Sequence, residues 1–263
     1  MAGTPDETGV LALERDGATI RYAVHGTDTG RPPLLLTHGY GASAAMWQPN
    51  LAALGAGRLV ITWDICGHGR SDSPANPARY SQAACVDDMA AVLDACGASR
   101  AVIGGLSLGG YLSLAFWLRR RARVTALLLC DTGPGFRRDE AREEWNARAV
   151  ARAQRLERDG AAALGDSPET RGIRQDPRGL ALAARGILAQ RDARVITSLP
   201  AIAVPTLVVV GAADTAFLGA AGYLATKIPG ASQVVIDGAG HAANLDQPGP
   251  FNSAVVAFLD GLP

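Results

Sequence analysis

Five residues, Gly105-Leu106-Ser107-Leu108-Gly109, follow an apolar run ending near Gly104 and open the segment YLSLAFWLRRR. A serine flanked by glycine two residues away on each side suits a tight strand-to-helix turn, which leaves no room there for a bulky Cβ. Such a turn pushes the hydroxyl out at the carboxyl end of the strand. It also places the hydroxyl above a helix N-terminus, whose free N–H groups favour developing negative charge. The chemistry this suits is nucleophilic attack on a carbonyl carbon. The same glycines do not form a dinucleotide loop, because Gly104, Gly105, Gly109 and Gly110 cannot be fitted to the GxGxxG spacing.

A serine hydroxyl is inert at neutral pH without a base. Where a serine of this kind is used, its acid and base follow it in the chain. Of the four histidines, only His241 comes after Ser107, presented by Gly238-Ala239-Gly240 between the last strand-like run and the last helix-like run. His25 reads as structural in an early strand. His38 and His68 read as braces in loops at the same sheet edge as Ser107. The third member is a carboxylate that orients the imidazole and stabilises its cation. Asp214, four residues past a buried strand in VVVGAADTAF, is the favoured acid. Asp131, directly after the preceding strand, is the alternate, with a capping role before Thr132-Gly133 as its structural reading. Asp237 reads as a surface or supporting group. An oxyanion needs two convergent N–H donors. Leu108, next to the nucleophile, offers one, and Tyr40 in Thr37-His38-Gly39-Tyr40-Gly41 offers the other. The Tyr40 side chain either lines the pocket or packs.

These residues must be positioned by strands and helices that alternate. Strands are expected at Val10–Leu13, Thr19–Val24, Pro33–Thr37, Leu59–Trp63, Ala101–Gly104, Val124–Cys130, Thr206–Val210 and Gln233–Ile236. The first two alternate in polarity and predict an antiparallel start with a turn near Asp16-Gly17. The later ones are continuous apolar runs, as strands buried on both faces require. Helices are expected at about Ala44–Leu54, Gln82–Cys96, Leu108–Arg121, Phe217–Ile228 and Ala242–Leu259. The pattern predicts an eight-stranded, mostly parallel sheet with helices on both faces. Residues 133–198 break the alternation. EAREEWNARAVARAQRLERDG reads as a charged amphipathic helix, and shorter helices are expected after Pro168 and Pro177. The expected organisation is a core of residues 1–132 and 199–263 with a helical insertion of residues 133–198 after the sixth strand.

The bulk numbers exclude some partners. Lys plus Arg (25) balance Asp plus Glu (25), so no net positive field exists to hold nucleic acid. The first twenty residues carry acids and show no basic start followed by an apolar run, so no secretory signal is expected, and no stretch is long enough to span a bilayer. Cys66, Cys85, Cys96 and Cys130 match no zinc or redox spacing. Cys85 and Cys96 on one helix would stand about 16 Å apart, too far for a disulfide. Buried free thiols in a reducing cytoplasm are expected, with no cofactor and no metal.

Taken together, these segments resemble the α/β-hydrolase superfamily over nearly the whole chain except the insertion. LLLTHGYGASAAMW, with Trp47, resembles the His-Gly oxyanion loop. WDICGHGRSD resembles the Asp-x-x-Gly-His-Gly-x-Ser loop, with Cys66 where many members have arginine. PTLVVVGAAD and GAGHAANLDQP resemble the acid and histidine segments. The resemblance implies a serine-nucleophile enzyme, with residues 133–198 in the place of the family's cap. A serine nucleophile argues against haloalkane dehalogenase and epoxide hydrolase chemistry, which in this fold uses aspartate. The expected reaction is cleavage of a small carboxylic ester or lactone through an acyl-enzyme. The alternatives are carbon–carbon bond hydrolysis or a lyase-type step on the same triad, and, from another class, a non-catalytic small-molecule receptor.

Overall fold

The computed structural model describes Asp6, residues 9–171 and residues 175–263. Part of the reading of the first twenty residues falls on positions outside that range, as does part of the segment following Pro168.

Eight strands form one sheet: β1 Leu11–Arg15, β2 Ala18–Gly26, β3 Leu34–Thr37, β4 Leu59–Trp63, β5 Ala101–Leu106, β6 Val124–Cys130, β7 Thr206–Gly211 and β8 Ser232–Ile236. Their order is β1-β2-β4-β3-β5-β6-β7-β8. β1 pairs antiparallel with β2, and β2 with β4; all other pairs are parallel. Asp16 (φ 47°) and Gly17 (φ 79°) make the first hairpin, both with the positive φ that a two-residue turn of this twist requires.

Nine α-helices accompany the sheet among the described residues: α1 Gln48–Leu54, α2 Gln82–Ala95, α3 Leu108–Arg120, α4 Asp139–Asp159, α5 Pro177–Ala183, α6 Arg194–Ser198, α7 Leu218–Lys227, α8 Ala243–Asp246 and α9 Pro248–Asp260. Alternate strand residues serve opposite faces. Leu35, Ile61, Ile103, Leu127 and Val208 pack with α2, α3 and α7. Leu34, Leu36, Val60, Val102 and Val209 pack with α1 and α9 on the other side. Fully burying each such side chain stabilises the fold by roughly 1.5–3 kcal/mol. Because β3 sends its chain to one face and β5 to the other, a crevice opens beyond their carboxyl ends, where ligands bind in open α/β sheets.

The observed elements depart from the expected ones where proline or edge position intervenes. The first expected helix splits into a 3₁₀ turn, Ala44–Trp47, and α1, because Pro49 has no N–H and Gln48 takes the Ala45 carbonyl instead. The last expected helix breaks at Gln247 (φ −136°, ψ 67°), which stands before Pro248 and is kept out of the helical region. Pro168–Arg171 form a turn rather than a helix. β8 is not buried on both faces: it is an edge strand, and its Val235 is 46% exposed. Cys66, Cys85 and Cys130 are buried and free, whereas Cys96, at the end of α2, is only partly buried. No helix among the described residues is long and apolar enough to cross a membrane.

Between β6 and β7 lie α4, α5, a π-helical turn at Ala184–Leu188, and α6. α4 is charged over most of its length and buries Ala149, Ala153 and Leu156, a single narrow stripe.

Two glycines give opposite expectations. A Cβ on Gly109 would lie 2.1 Å from the Thr37 carbonyl oxygen, whereas one on Gly222, in mid-α7, would meet nothing within 4 Å. Gly109→Ala should cost about 3 kcal/mol or more through backbone displacement. Gly222→Ala should add about 0.5–1 kcal/mol from helix propensity. Urea unfolding midpoints of the two variants check both signs.

Candidate active site

Ser107 stands between β5 and α3 with φ 57° and ψ −115°, a left-handed conformation for a residue that is not glycine. The strain has a visible cause. Gly105 would place a Cβ 2.5 Å from the Gly109 backbone and 2.6 Å from the Thr37 oxygen, so chain enters and leaves the turn at backbone contact. The Ser107 N–H donates to the Cys130 carbonyl (2.9 Å), which holds the turn to β6. Its side chain is left partly exposed at the carboxyl edge of the parallel strands.

At the same edge, beyond β7 and β8, His241 Nδ1 donates to Asp214 Oδ2 at 2.8 Å. Asp214 is 5% exposed, and Phe217 stacks on the imidazole with ring centroids 5.0 Å apart. Burial alone presses the imidazole toward its neutral form. The hydrogen bond and charge of Asp214, helped by Asp131 and Glu169, outweigh burial, so the His241 pKa lies above the ordinary 6.5. Asp131 is engaged elsewhere: it is fully buried and accepts the N–H groups of Gly211 (2.8 Å) and Ala243 (3.4 Å). The geometry therefore pairs the histidine with Asp214 and not with its rival. The Ser107 hydroxyl and His241 Nε2 make no hydrogen bond to each other. Asp237 is exposed beyond the end of β8.

The loop after β3 lies against the serine: a Cβ on Gly39 would stand 3.5 Å from that of Ser107. Tyr40 and Leu108 are 8% and 5% exposed, and among the described residues neither backbone N–H has a hydrogen-bond acceptor. Two buried donors beside the serine and without partners are what an oxyanion site requires. The Tyr40 ring does not hang free, since its hydroxyl donates to the Leu180 carbonyl of α5 (2.8 Å). His38 Nε2 accepts the Ile65 N–H (3.0 Å) while Nδ1 donates to the Gly39 carbonyl (2.7 Å), so both nitrogens brace loops. Burial holds His38 below its ordinary pKa and brings His68 down to about 3. His25 lies on β2, with Nε2 3.3 Å from Thr62 Oγ1.

Sequence reasoning missed three contributors. Thr132 Oγ1 donates to the Ser107 carbonyl at 2.6 Å. Phe217 follows Asp214 by three residues, close enough for its ring to have been suspected. Gln175 donates to the Gly41 and Ala42 carbonyls (2.9 and 3.0 Å) and accepts the Gly69 N–H (3.0 Å), fastening the insertion to both glycine loops. No local signal distinguishes that glutamine. A cavity of about 910 Å³ is lined by residues that include Arg21, Ser43, Asp64, His68 and Gln175. It touches none of Ser107, Asp214 or His241. Its Asp64 carboxylate already accepts the Ala44 and Arg70 N–H groups, so the chemistry is assigned by side-chain geometry and not by cavity size.

Residues 34–254 match the family model described as the alpha/beta hydrolase family. Among curated relatives, 3-oxoadipate enol-lactonase 1 of Acinetobacter baylyi is 27% identical over 96% of this chain and 97% of the relative. Among solved structures, a thermophilic esterase from Thermogutta terrifontis is 29% identical with a TM-score of 0.81, covering 95% of this chain and 97% of that one. The enol-lactonase of Burkholderia xenovorans is 28% identical with a TM-score of 0.74, covering 95% and 99%.

The His241–Asp214 pair can be tested without any substrate. Asp214→Asn should lower the His241 imidazole pKa by about one to three pH units, since it removes the opposite charge and the carboxylate acceptor. Histidine-selective NMR titration reads this directly. An unchanged titration would show that another group holds the imidazolium.

Proposed function

The chain belongs to the α/β-hydrolase family and is an enzyme of the hydrolase type, and from that premise we propose that it cleaves a small carboxylic ester or lactone through an acyl-enzyme on Ser107. The observation that carries the reading is the 2.8 Å His241–Asp214 hydrogen bond, at the same sheet edge as a serine held at positive φ.

The Ser107 Oγ attacks the substrate carbonyl while His241 Nε2 takes its proton. Asp214 keeps the other proton on Nδ1 and stabilises the imidazolium that forms. The free N–H groups of Tyr40 and Leu108 receive the oxyanion. Collapse of the tetrahedral intermediate breaks the ester bond, and His241 returns its proton to the leaving alcohol. In a lactone that alcohol stays attached to the acyl group. Water, deprotonated by His241, then attacks the acyl-enzyme by the same route and frees Ser107. Similarity to proteins named as enol-lactonases and an esterase supports this substrate class.

Residues 133–198 act in this reading as a cap over the pocket. Its support is the pair of contacts from Leu180 to Tyr40 and from Gln175 to the Gly41-Ala42 backbone.

Ser107→Ala should lower turnover of a p-nitrophenyl ester by about 10⁴-fold or more, and a fluorophosphonate should label the wild-type chain at Ser107. Near-normal turnover in the variant would overturn the mechanism. Protonation of His241 removes the base, so kcat/KM should fall as pH drops through its raised pKa, placing the acidic limb above that of free imidazole.

A further inference from the structure

The catalytic reading leaves Asp131 without a task, although it is a fully buried carboxylate directly after β6. It adopts φ 45°, a left-handed conformation that aspartate tolerates only at some cost. Its N–H donates to the Val209 carbonyl at 2.9 Å. One carboxylate oxygen accepts from Gly211, three residues before Asp214, and the other accepts from Ala243, two residues after His241. The next residue, Thr132, donates to the carbonyl of Ser107 itself, and its side chain fills the space beside Gly110 where a Cβ would stand 2.5 Å away. Two consecutive residues thus touch the nucleophile turn, the acid strand and the histidine loop.

We propose that Asp131-Thr132, directly after β6, is a positioning unit that holds Ser107, Asp214 and His241 in one frame and adds negative charge behind His241. The proposal rests on the catalytic reading given above. A carboxylate suits the place because two N–H donors converge on it from separate segments and it offers an acceptor to each. An amide there has one carbonyl oxygen and turns its NH₂ against the second donor. Burial pushes the Asp131 carboxyl up to about 7, against the lowering effect of the Gly211 N–H and of charge on His241. The groups facing the pair are Asp214 from the loop after β7, His241 from the loop after β8, Cys130 beside Asp131, and Glu169 from the turn after Pro168. When ionised, Asp131 favours the imidazolium. Its loss therefore shifts His241 toward the neutral form.

The experiment compares two single variants of the full chain with wild type, using a p-nitrophenyl ester across pH. Asp131→Asn should lower kcat about tenfold, the rate equivalent of one lost hydrogen bond, with little change in KM. It should also move the acidic limb of kcat/KM to lower pH, which loss of a purely structural bond would not do. Thr132→Val, close in shape, should lower kcat by about three- to tenfold and leave that limb in place. Wild-type kcat and an unmoved limb in both variants would overturn the proposal. Should Asp131→Asn fail to fold, ¹⁵N-histidine NMR of the wild-type chain serves in its place, with the His241 signal identified by its loss in His241→Ala. A two-step titration of that signal supports a charged neighbour besides Asp214, and a single step overturns it. Ser107→Ala, assayed alongside, separates the two ideas. Surviving turnover there removes the catalytic reading itself, whereas full dependence on Ser107 with two silent variants removes only the positioning unit.

Discussion

The first turn of α3 and the end of β3 meet backbone to backbone. Gly109 leaves its Cα hydrogen where a methyl would strike the Thr37 carbonyl, and Gly105 does the same from the strand side. From this contact the rest of the site follows. Only a chain that reverses within one residue can pass from β5 into α3 at such close range, and Ser107, the residue at the reversal, takes a positive φ. A strain of this kind costs about 1–3 kcal/mol and persists only where the surroundings over-determine it. Here they do: β5 is buried at every position, and ten residues of α3 are buried behind it. The same approach brings the loop after β3 alongside the serine, where a Cβ on Gly39 would stand 3.5 Å from that of Ser107.

Burial then sorts groups of the same type into different roles. His38 and His68 are almost wholly enclosed and are held neutral, their ring nitrogens turned to backbone or left dry. His241 is also mostly enclosed, yet a carboxylate at 2.8 Å reverses the balance and keeps it able to accept a proton. The two aspartates separate by their partners in the same way. Asp131 accepts backbone N–H groups from two segments, and Asp214 accepts from an imidazole. Neither difference is a property of the residue. Each comes from the low dielectric of the site and the particular donor that reaches it.

That origin explains what could be read from the chain before folding. The glycine-flanked serine turn and the glycine loop after β3 are local patterns set by sterics within a few residues, and all eight strands carry their own apolar signal. The pairing of His241 with Asp214 across 27 residues is not local and was legible only through the family pattern. The breaks at Gln247 and before Pro49 were also written locally, in prolines whose missing N–H outweighs an otherwise helical pattern. The exposure of β8 was not, because VVI reads the same in a central strand as at an edge, and only strand order decides which it is. Thr132 and Gln175 were invisible for a related reason. Their contacts span 25 and more than 100 residues, and nothing in the chain beside them marks the partner.

The insertion obeys different physics from the core and yet is not independent of it. Its longest helix buries a narrow stripe of small residues, so its own sequence only weakly constrains where it sits. Its shorter elements hold it instead: Leu180, Ala183 and Ile187 are buried in the core cluster, Leu180 also accepts the Tyr40 hydroxyl, and Gln175 spans the glycine loops after β3 and β4. These hydrogen bonds end on the loop that carries Tyr40. A shift in the insertion is therefore transmitted to the loop that carries Tyr40. The insertion and the loop after β3 are thus coupled through these hydrogen bonds, and a change in one is felt in the other.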